Sequence, residues 1–213
     1  MIVDERLVTY INSLETGNTP ILEQIEQEAI EAYVPIIRKE MQQFLKMLLA
    51  VKRPLRILEV GTAVGFSAIL MAEYDPVCCK ITTIENYEKR IPIARENFKR
   101  AGKEKQITLL EGDAEEILKE LEGPYDFIFM DAAKGQYIHY YPLIKEILSP
   151  NGILFADNVK LLGLVEHAEK VTHKNRTMTR NMTEFINVIS HDEDFKTQFY
   201  TVEDGYIIAK KLR

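Results

Sequence analysis

In the central part of this 213-residue chain, acidic residues stand where short apolar runs end. Tyr125-Asp126-Phe127-Ile128-Phe129-Met130 runs into Asp131-Ala132-Ala133-Lys134, and Gly152 to Ala156 runs into Asp157-Asn158. Two carboxylates and one amide carbonyl are hard oxygen donors, the ligand type that suits Mg²⁺ or a similar divalent ion. Either run end alone reads equally as a helix N-cap or a polar turn. Lys134 reads as a solvated cation opening a helix, or as a group that takes a proton or orients an oxyanion. Its place beside two carboxylates favours the second.

A second group of residues lies upstream. The run Ile57-Leu58-Glu59-Val60 passes into Gly61-Thr62-Ala63-Val64-Gly65-Phe66-Ser67. Glycine there lets a strand turn sharply into a helix and lets backbone approach a ligand. The turn alone could equally be a tight connection with no ligand. Glu85 closes the next run, 24 residues after Gly61, where an acid can accept both hydrogen bonds of a ribose diol. Gly112-Asp113-Ala114 closes the third, where a side chain can reach an adenine amino group. Position 63 is alanine, so the dinucleotide G-x-G-x-x-G pattern is broken, and no phosphate-binding lysine follows. An adenosyl cofactor without pyrophosphate, S-adenosyl-L-methionine, fits these residues better than NAD.

Such residues meet only if the runs lie side by side. Ile57–Val60, Ile81–Ile84, Ile107–Leu110, Phe127–Met130 and Ile153–Ala156 lack strict alternation, as strands buried on both faces should. Helical patterns of crossover length separate them, and helices are predicted before them over Leu7–Leu14 (Leu7, Val8, Ile11, Leu14), Ile21–Ala32 and Ile36–Val51. A last helix spans about Met178–Ser190. Strands Gln198–Val202 and Tyr206–Lys210 form a hairpin through Glu203-Asp204-Gly205. The expected fold is a doubly wound, Rossmann-like α/β sheet, mostly parallel with an antiparallel C-terminal hairpin. It forms a single domain, with a helical cap over 1–53 and the core over 54–213.

Composition narrows the class further. Of the residues, 46% are hydrophobic and 28% charged, and the net charge of -6 argues against wholesale coating of nucleic acid. The adjacent Cys78 and Cys79 are the sole cysteines, too few for a zinc set and unsuited to an unstrained disulfide, so reduced thiols are expected. The opening MIVDERLVTY is not a signal peptide and no run approaches a membrane span, which places the protein in the cytoplasm.

The order Glu59-x-Gly61-x-x-x-Gly65-x-Ser67, Glu85, Asp113-Ala114, Asp131-x-x-Lys134-x-x-Tyr137, Asp157-Asn158 resembles the metal-dependent catechol and caffeoyl-CoA type O-methyltransferases. The resemblance covers about residues 34–211. It implies that Asp131, Asp157 and Asn158 bind Mg²⁺ and that Lys134 is the catalytic base or its assistant, with Asp131 beside it. It further implies that Glu85 holds the ribose, that Asp113 and Ala114 lie near adenine, and that Glu59, Gly61, Gly65 and Ser67 form the methionine end. Ile37 would pack over that end from the cap. Many such enzymes carry an acid where this chain has Ala133, which departs from the plant caffeoyl-CoA branch.

The acceptor hydroxyl has two readings. Lys160, His167, Lys170, His173, Lys174, Arg176 and Arg180 stand against Glu166 and Glu169 alone in the segment after the metal residues. Such a run is either a solvated loop or a phosphate-contacting surface, with Lys160, Lys174, Arg176 and Arg180 as candidate contacts. With the Asp131–Tyr137 stretch it resembles the bacterial tRNA 5-hydroxyuridine methyltransferases, which implies the anticodon loop of tRNA as partner and 5-methoxyuridine as product. A small-molecule catechol or caffeoyl-type acceptor is the alternative, and a non-catalytic S-adenosylmethionine-binding module the third. The resemblance and the extra N-terminal helices imply a homodimer.

Overall fold

The computed structural model describes residues 5–14, 17–202 and 204–213. Met1–Asp4, the side chains of Val8 and Ile11, and Glu203 of the expected hairpin turn lie outside the described residues. Three helices come first: α1 (Glu5–Ser13), α2 (Pro20–Glu31) and α3 (Lys39–Lys52). The sheet strands are β1 (Arg56–Val60), β2 (Lys80–Glu85), β3 (Ile107–Glu111), β4 (Tyr125–Met130), β5 (Leu148–Asp157), β6 (Phe195–Tyr200) and β7 (Tyr206–Lys211). Between and after them run α4 (Phe66–Tyr74), α5 (Ile91–Arg100), α6 (Ala114–Glu120), α7 (Tyr137–Ile147) and α8 (Arg176–His191).

The seven strands lie in the order β3-β2-β1-β4-β5-β7-β6, with β3 to β5 parallel and β7 antiparallel to both of its neighbours. This is a Rossmann-like sheet, mostly parallel with an antiparallel C-terminal hairpin, as the run pattern predicts. Burial on both faces explains the unbroken apolar runs. Leu58, Val60, Ile128, Met130, Leu154 and Ala156 pack toward α6, α7 and α8. Ile57, Phe127, Phe129 and Phe155 pack with α2 to α5. Helix α4 is buried along almost its whole length, because α2 and α3 cover the side it turns away from the sheet.

Several predicted boundaries move, and strand β5 begins at Leu148 rather than near Ile153. The helix expected from Ile36 begins at Lys39, and residues 34–38 run extended past the carboxyl edge of the sheet. Proline at 35 disfavours helix in the residue before it. The fully buried Gln42 then takes the carbonyl of Ile37 through its Nε2 (3.0 Å), a bond that fixes the non-helical segment. Strand β6 begins at Phe195 rather than Gln198 and stops at Tyr200. Both cysteines are free thiols, as expected, with Cys79 buried and its pKa pushed up to about 12 by burial.

Candidate active site

The register of the parallel strands aligns the candidate residues. Val60 pairs with Ile84 and Met130, Met130 pairs with Ala156, and Glu85 pairs with Glu111. Each strand leaves the sheet within a residue of these pairs. Gly112, Glu85, Gly61, Asp131 and Asp157 therefore stand in a row along one carboxyl edge. The strand order reverses between β1 and β4, the switch point where such sheets open a crevice for ligands. A cavity of about 690 Å³ occupies it, walled on the cap side by Pro35, Ile36, Ile37 and Arg38.

Gly61 needs both its freedoms. Its φ is +94°, and a Cβ there would overlap the Asp131 carbonyl, so the ends of β1 and β4 close up only over glycine. The turn that follows is clamped from α5. Buried Asn97 donates to the Val64 carbonyl (2.8 Å), and Phe98 fills the space beside Gly65.

Beneath the turn lies Glu59, fully buried. It accepts hydrogen bonds from the hydroxyls of Thr62 (2.6 Å), Ser67 (2.5 Å) and Thr83 (2.5 Å). Burial raises its pKa to about 7 against the pull of these three donors. Glu59 does not line the cavity; it positions Thr62 and Ser67, which do. Because each hydroxyl spends its proton on the carboxylate, it turns lone pairs toward the cavity, a surface suited to a donor such as an α-ammonium. Gly65 likewise shapes the turn from outside the cavity wall.

Glu85 is nearly buried at the end of β2. Its Oε2 accepts from the amide of Ala63 (2.8 Å), and its Oε1 from those of Asn86 (3.0 Å) and Tyr87 (2.9 Å). These bonds fix the carboxylate while leaving lone pairs for a diol, since two oxygens offer about four acceptor sites. Asp113 behaves otherwise. Its Oδ1 accepts from the amides of Glu115 (2.9 Å) and Glu116 (3.2 Å), so it caps α6, and the cavity wall there comes from Gly112 and Ala114.

At the other end, Lys134 forms an ion pair with Asp131 and donates to the Tyr137 hydroxyl (3.0 Å) and the Asp157 carbonyl (3.5 Å). Burial works against the ammonium, but Tyr137 and Asp131 outweigh it and raise its pKa, so the resting group is a cation. The Tyr137 hydroxyl is bonded to the carbonyls of Met130 (2.9 Å) and Asp157 (3.1 Å), which staples the ends of β4 and β5 together. The Asp157 Oδ1 accepts from the Asn158 amide (2.7 Å), and Asn158 sits at φ +54°, a conformation asparagine tolerates. Asn181 of α8 holds the Gly135 carbonyl (2.9 Å) and pins the turn that carries Lys134. Asp131, Asp157 and Asn158 share the cavity wall, and their hard oxygens fit a divalent cation of the Mg²⁺ type. Among the described residues no group of three or more His, Cys, Asp or Glu gathers to hold a metal, and at this site the third donor is the amide of Asn158.

Of the predicted site residues, Ile37, Gly61, Ser67, Glu85, Ala114, Asp131, Lys134, Asp157 and Asn158 meet in this cavity. Lys160, Lys174, Arg176 and Arg180 do not line it. Lys160 pairs with Glu166 (3.3 Å), while Arg176 and Arg180 border a separate groove along α8 with Thr179 and Thr183. Sequence reasoning missed Arg38, Thr62, Ala63, Tyr87, Arg90 and Tyr140, all on the cavity wall. Thr62 and Ala63 lay inside the glycine turn and were legible there; Tyr140 carried no signal beyond a helix periodicity.

A nucleoside-sized crevice over the switch point, an acid beside its glycine turn and oxygen donors at the adjoining strand ends define a methyltransferase of the Rossmann-like class. Comparison with known proteins narrows the class. The family profile described as O-methyltransferase matches residues 12–212, and the chain belongs to that family. It is 33% identical over 156 residues to a catechol O-methyltransferase of Niastella koreensis, covering 70% of this chain and 71% of that one. O-methyltransferase AnkF of Aspergillus thermomutatus is 38% identical over 127 residues, but the match takes in 58% of this chain and only 53% of that protein. Among solved structures, the S-adenosylhomocysteine-bound Podospora anserina methyltransferase PaMTH1 superposes with a TM-score of 0.88 at 27% identity, covering 100% of this chain and 99% of that one.

Proposed function

We propose that this protein transfers the methyl group of S-adenosylmethionine to a hydroxyl of a small aromatic diol of the catechol type, aided by a divalent cation. The observation that carries the reading is the contiguity of the two ends of one cavity. The glycine turn and Glu85 adjoin Asp131, Asp157 and Asn158 through the neighbouring ends of β1 and β4. The catechol O-methyltransferase relative supports the acceptor class.

Asp131, Asp157 and Asn158 would hold the ion, which when bound lowers the pKa of a chelated hydroxyl. The remaining work belongs to the chain. Glu85 orients the ribose, Ser67 and Thr62 present acceptors to the amino-acid end, and Ile37 closes the cap side. Lys134, whose ammonium is paired with Asp131, holds the acceptor oxygen as it gains charge. Attack by that oxygen forms the O–CH₃ bond as the S–CH₃ bond breaks. The thioether leaves with the electron pair and the hydroxyl proton passes to solvent. Alignment of the two reactants supplies much of the acceleration.

A second reading, a tRNA carrying 5-hydroxyuridine, is favoured by the exposed Lys170, Lys174 and Arg176, which extend a basic surface beyond the Asp157-Asn158 end. The 5-hydroxyl and neighbouring 4-carbonyl would present the same pair of oxygens, on a base that can be splayed from a loop. Pairing of two copies is supported by α1, whose Leu7 and Tyr10 are exposed, as is Leu14 just beyond its end. The test is incubation with methyl-labelled S-adenosylmethionine, Mg²⁺ and either simple catechols or tRNA bearing 5-hydroxyuridine. Label in the catechol upholds the first reading, and label confined to tRNA replaces it with the second. Label in neither, with cofactor still bound, leaves a binding module.

A further inference from the structure

Residues 34–38 form a strap along the cap side of the cavity, and little backbone bonding holds it. Helix α2 ends where the amides of Tyr33 and Val34 return to the carbonyls of Ile30 (3.1 Å) and Ala29 (2.8 Å). Beyond that point, among the described residues, one hydrogen bond reaches the backbone of residues 35–37. It is the bond from Gln42 Nε2 to the Ile37 carbonyl (3.0 Å). The same Nε2 donates to Glu26 Oε1 on α2 (3.0 Å), and Gln42 Oε1 accepts from Asn18 Nδ2 (2.7 Å). A carbonyl and a carboxylate can only accept, so chemistry fixes the orientation of the Gln42 amide and engages both its N–H groups. Asn18 donates although its own Oδ1 is buried without a partner. The other Glu26 oxygen pairs with Lys39 (2.5 Å), the first residue of α3. Gln42 and Glu26 are both buried, and neither lines the cavity. An aliphatic side chain would fill the Gln42 site with no buried amide or carboxylate to satisfy. What the polar pair adds is a hold on Ile37.

Resting on the assignment of the cavity to S-adenosylmethionine, we propose that Gln42 and Glu26 are positioning residues for the cofactor. They act through the strap. The carboxylate fixes the amide, the amide fixes the Ile37 carbonyl, and the Ile37 side chain stays over the methionine end. The strap is then in place before the cofactor arrives, so binding does not bear the entropy of ordering it.

The test is calorimetric affinity for S-adenosylhomocysteine, beside hydrogen exchange of the Ile36, Ile37 and Arg38 amides in the free protein. Gln42→Met keeps the length of the side chain and removes both donors. Affinity should fall about tenfold, the size of one hydrogen bond, and the three amides should exchange faster. Leu49→Ala, at the far end of α3, controls for stability alone. It should weaken the fold, leave the three amides unchanged and keep affinity within about twofold. Glu26→Gln retains an acceptor for the amide and should bind as the wild type does, whereas Glu26→Leu should lose about threefold. Unchanged affinity in Gln42→Met would overturn the proposal, as would a loss matched by Leu49→Ala. Should Gln42→Met not fold, unchanged affinity in Glu26→Leu overturns it in the same way. Failure of the wild type to bind S-adenosylhomocysteine would instead overturn the cofactor assignment, and the exchange comparison would still test the hold on the strap.

Discussion

The two ends of the cavity are built on different principles. At the cofactor end, formed by the ends of β1, β2 and β3, the acids are spent on the protein itself. Glu59 satisfies three hydroxyls, Glu85 three amides and Asp113 two. At the other end, formed by the ends of β4 and β5 and proposed for the acceptor, charge faces charge across the cavity wall, with the Lys134 ammonium against Asp131. The first end is finished before any ligand arrives. The second is held by interactions that a cation and an acceptor anion would rearrange. Beyond it the backbone stays unusual, with Asn158, Leu161, Leu162 and Gly163 all at positive φ and Leu162 almost fully exposed.

Mutations should separate the two ends. Asp157→Ala removes a donor from the acceptor end, and methyl transfer should fall by about a thousandfold or more, while S-adenosylhomocysteine affinity stays within about twofold. Parallel loss of rate and affinity would erase the distinction drawn here. Glu59→Gln acts at the opposite end: its amide donors meet hydroxyls already arranged to donate, and cofactor affinity should drop about tenfold by calorimetry.

The Glu59 substitution also has a pH signature. Burial raises this pKa from 4.5 to about 7, so between those values the folded protein binds more protons than the unfolded chain. Its contribution to stability therefore falls as pH rises through that window, by on the order of 3 kcal/mol. Denaturant titrations at pH 4.5 and 7 should show that component in the wild type and lack it in Glu59→Gln. An unchanged difference would mean the carboxyl is ionised throughout.

Smaller effects probe the joints. Tyr137→Phe cuts the staple between β4 and β5 and leaves buried carbonyls short of a donor, costing about 1–3 kcal/mol of stability. Its rate should fall more than its cofactor affinity. Asp113→Ala should cost about 1 kcal/mol through its lost cap and change cofactor affinity little. A large affinity loss would restore the direct adenine contact that sequence alone implied.

The same contrast explains what could be read from sequence. Strand ends are legible because burial on both faces leaves unbroken apolar runs, and the polar residue that stops each run is conspicuous. Glu85, Asp131, Asp157 and Gly61 were found this way, and the register brought them together. Asp113 shows the limit: the run end it closes was legible, but not that its Oδ1 caps α6. The cap side was opaque for another reason. Ile36 and Ile37 fit a helical period, so nothing local revealed that the Gln42 side chain, reaching back to the Ile37 carbonyl, holds that segment out of the helix. Tyr140 was hidden because a tyrosine at helical spacing reads as core. The basic run was legible as a charge pattern, but its Lys160 and His167 turn to Glu166 and Glu169.

In the proposed reaction, ion-assisted transfer takes place at an end of the cavity separable from cofactor binding. The direct measurement is the initial rate of label transfer from S-adenosylmethionine to a catechol, with Mg²⁺ and with excess chelator, beside S-adenosylhomocysteine affinity in both. Transfer should require the ion while affinity changes by no more than about twofold. An equal rate in chelator would contradict it.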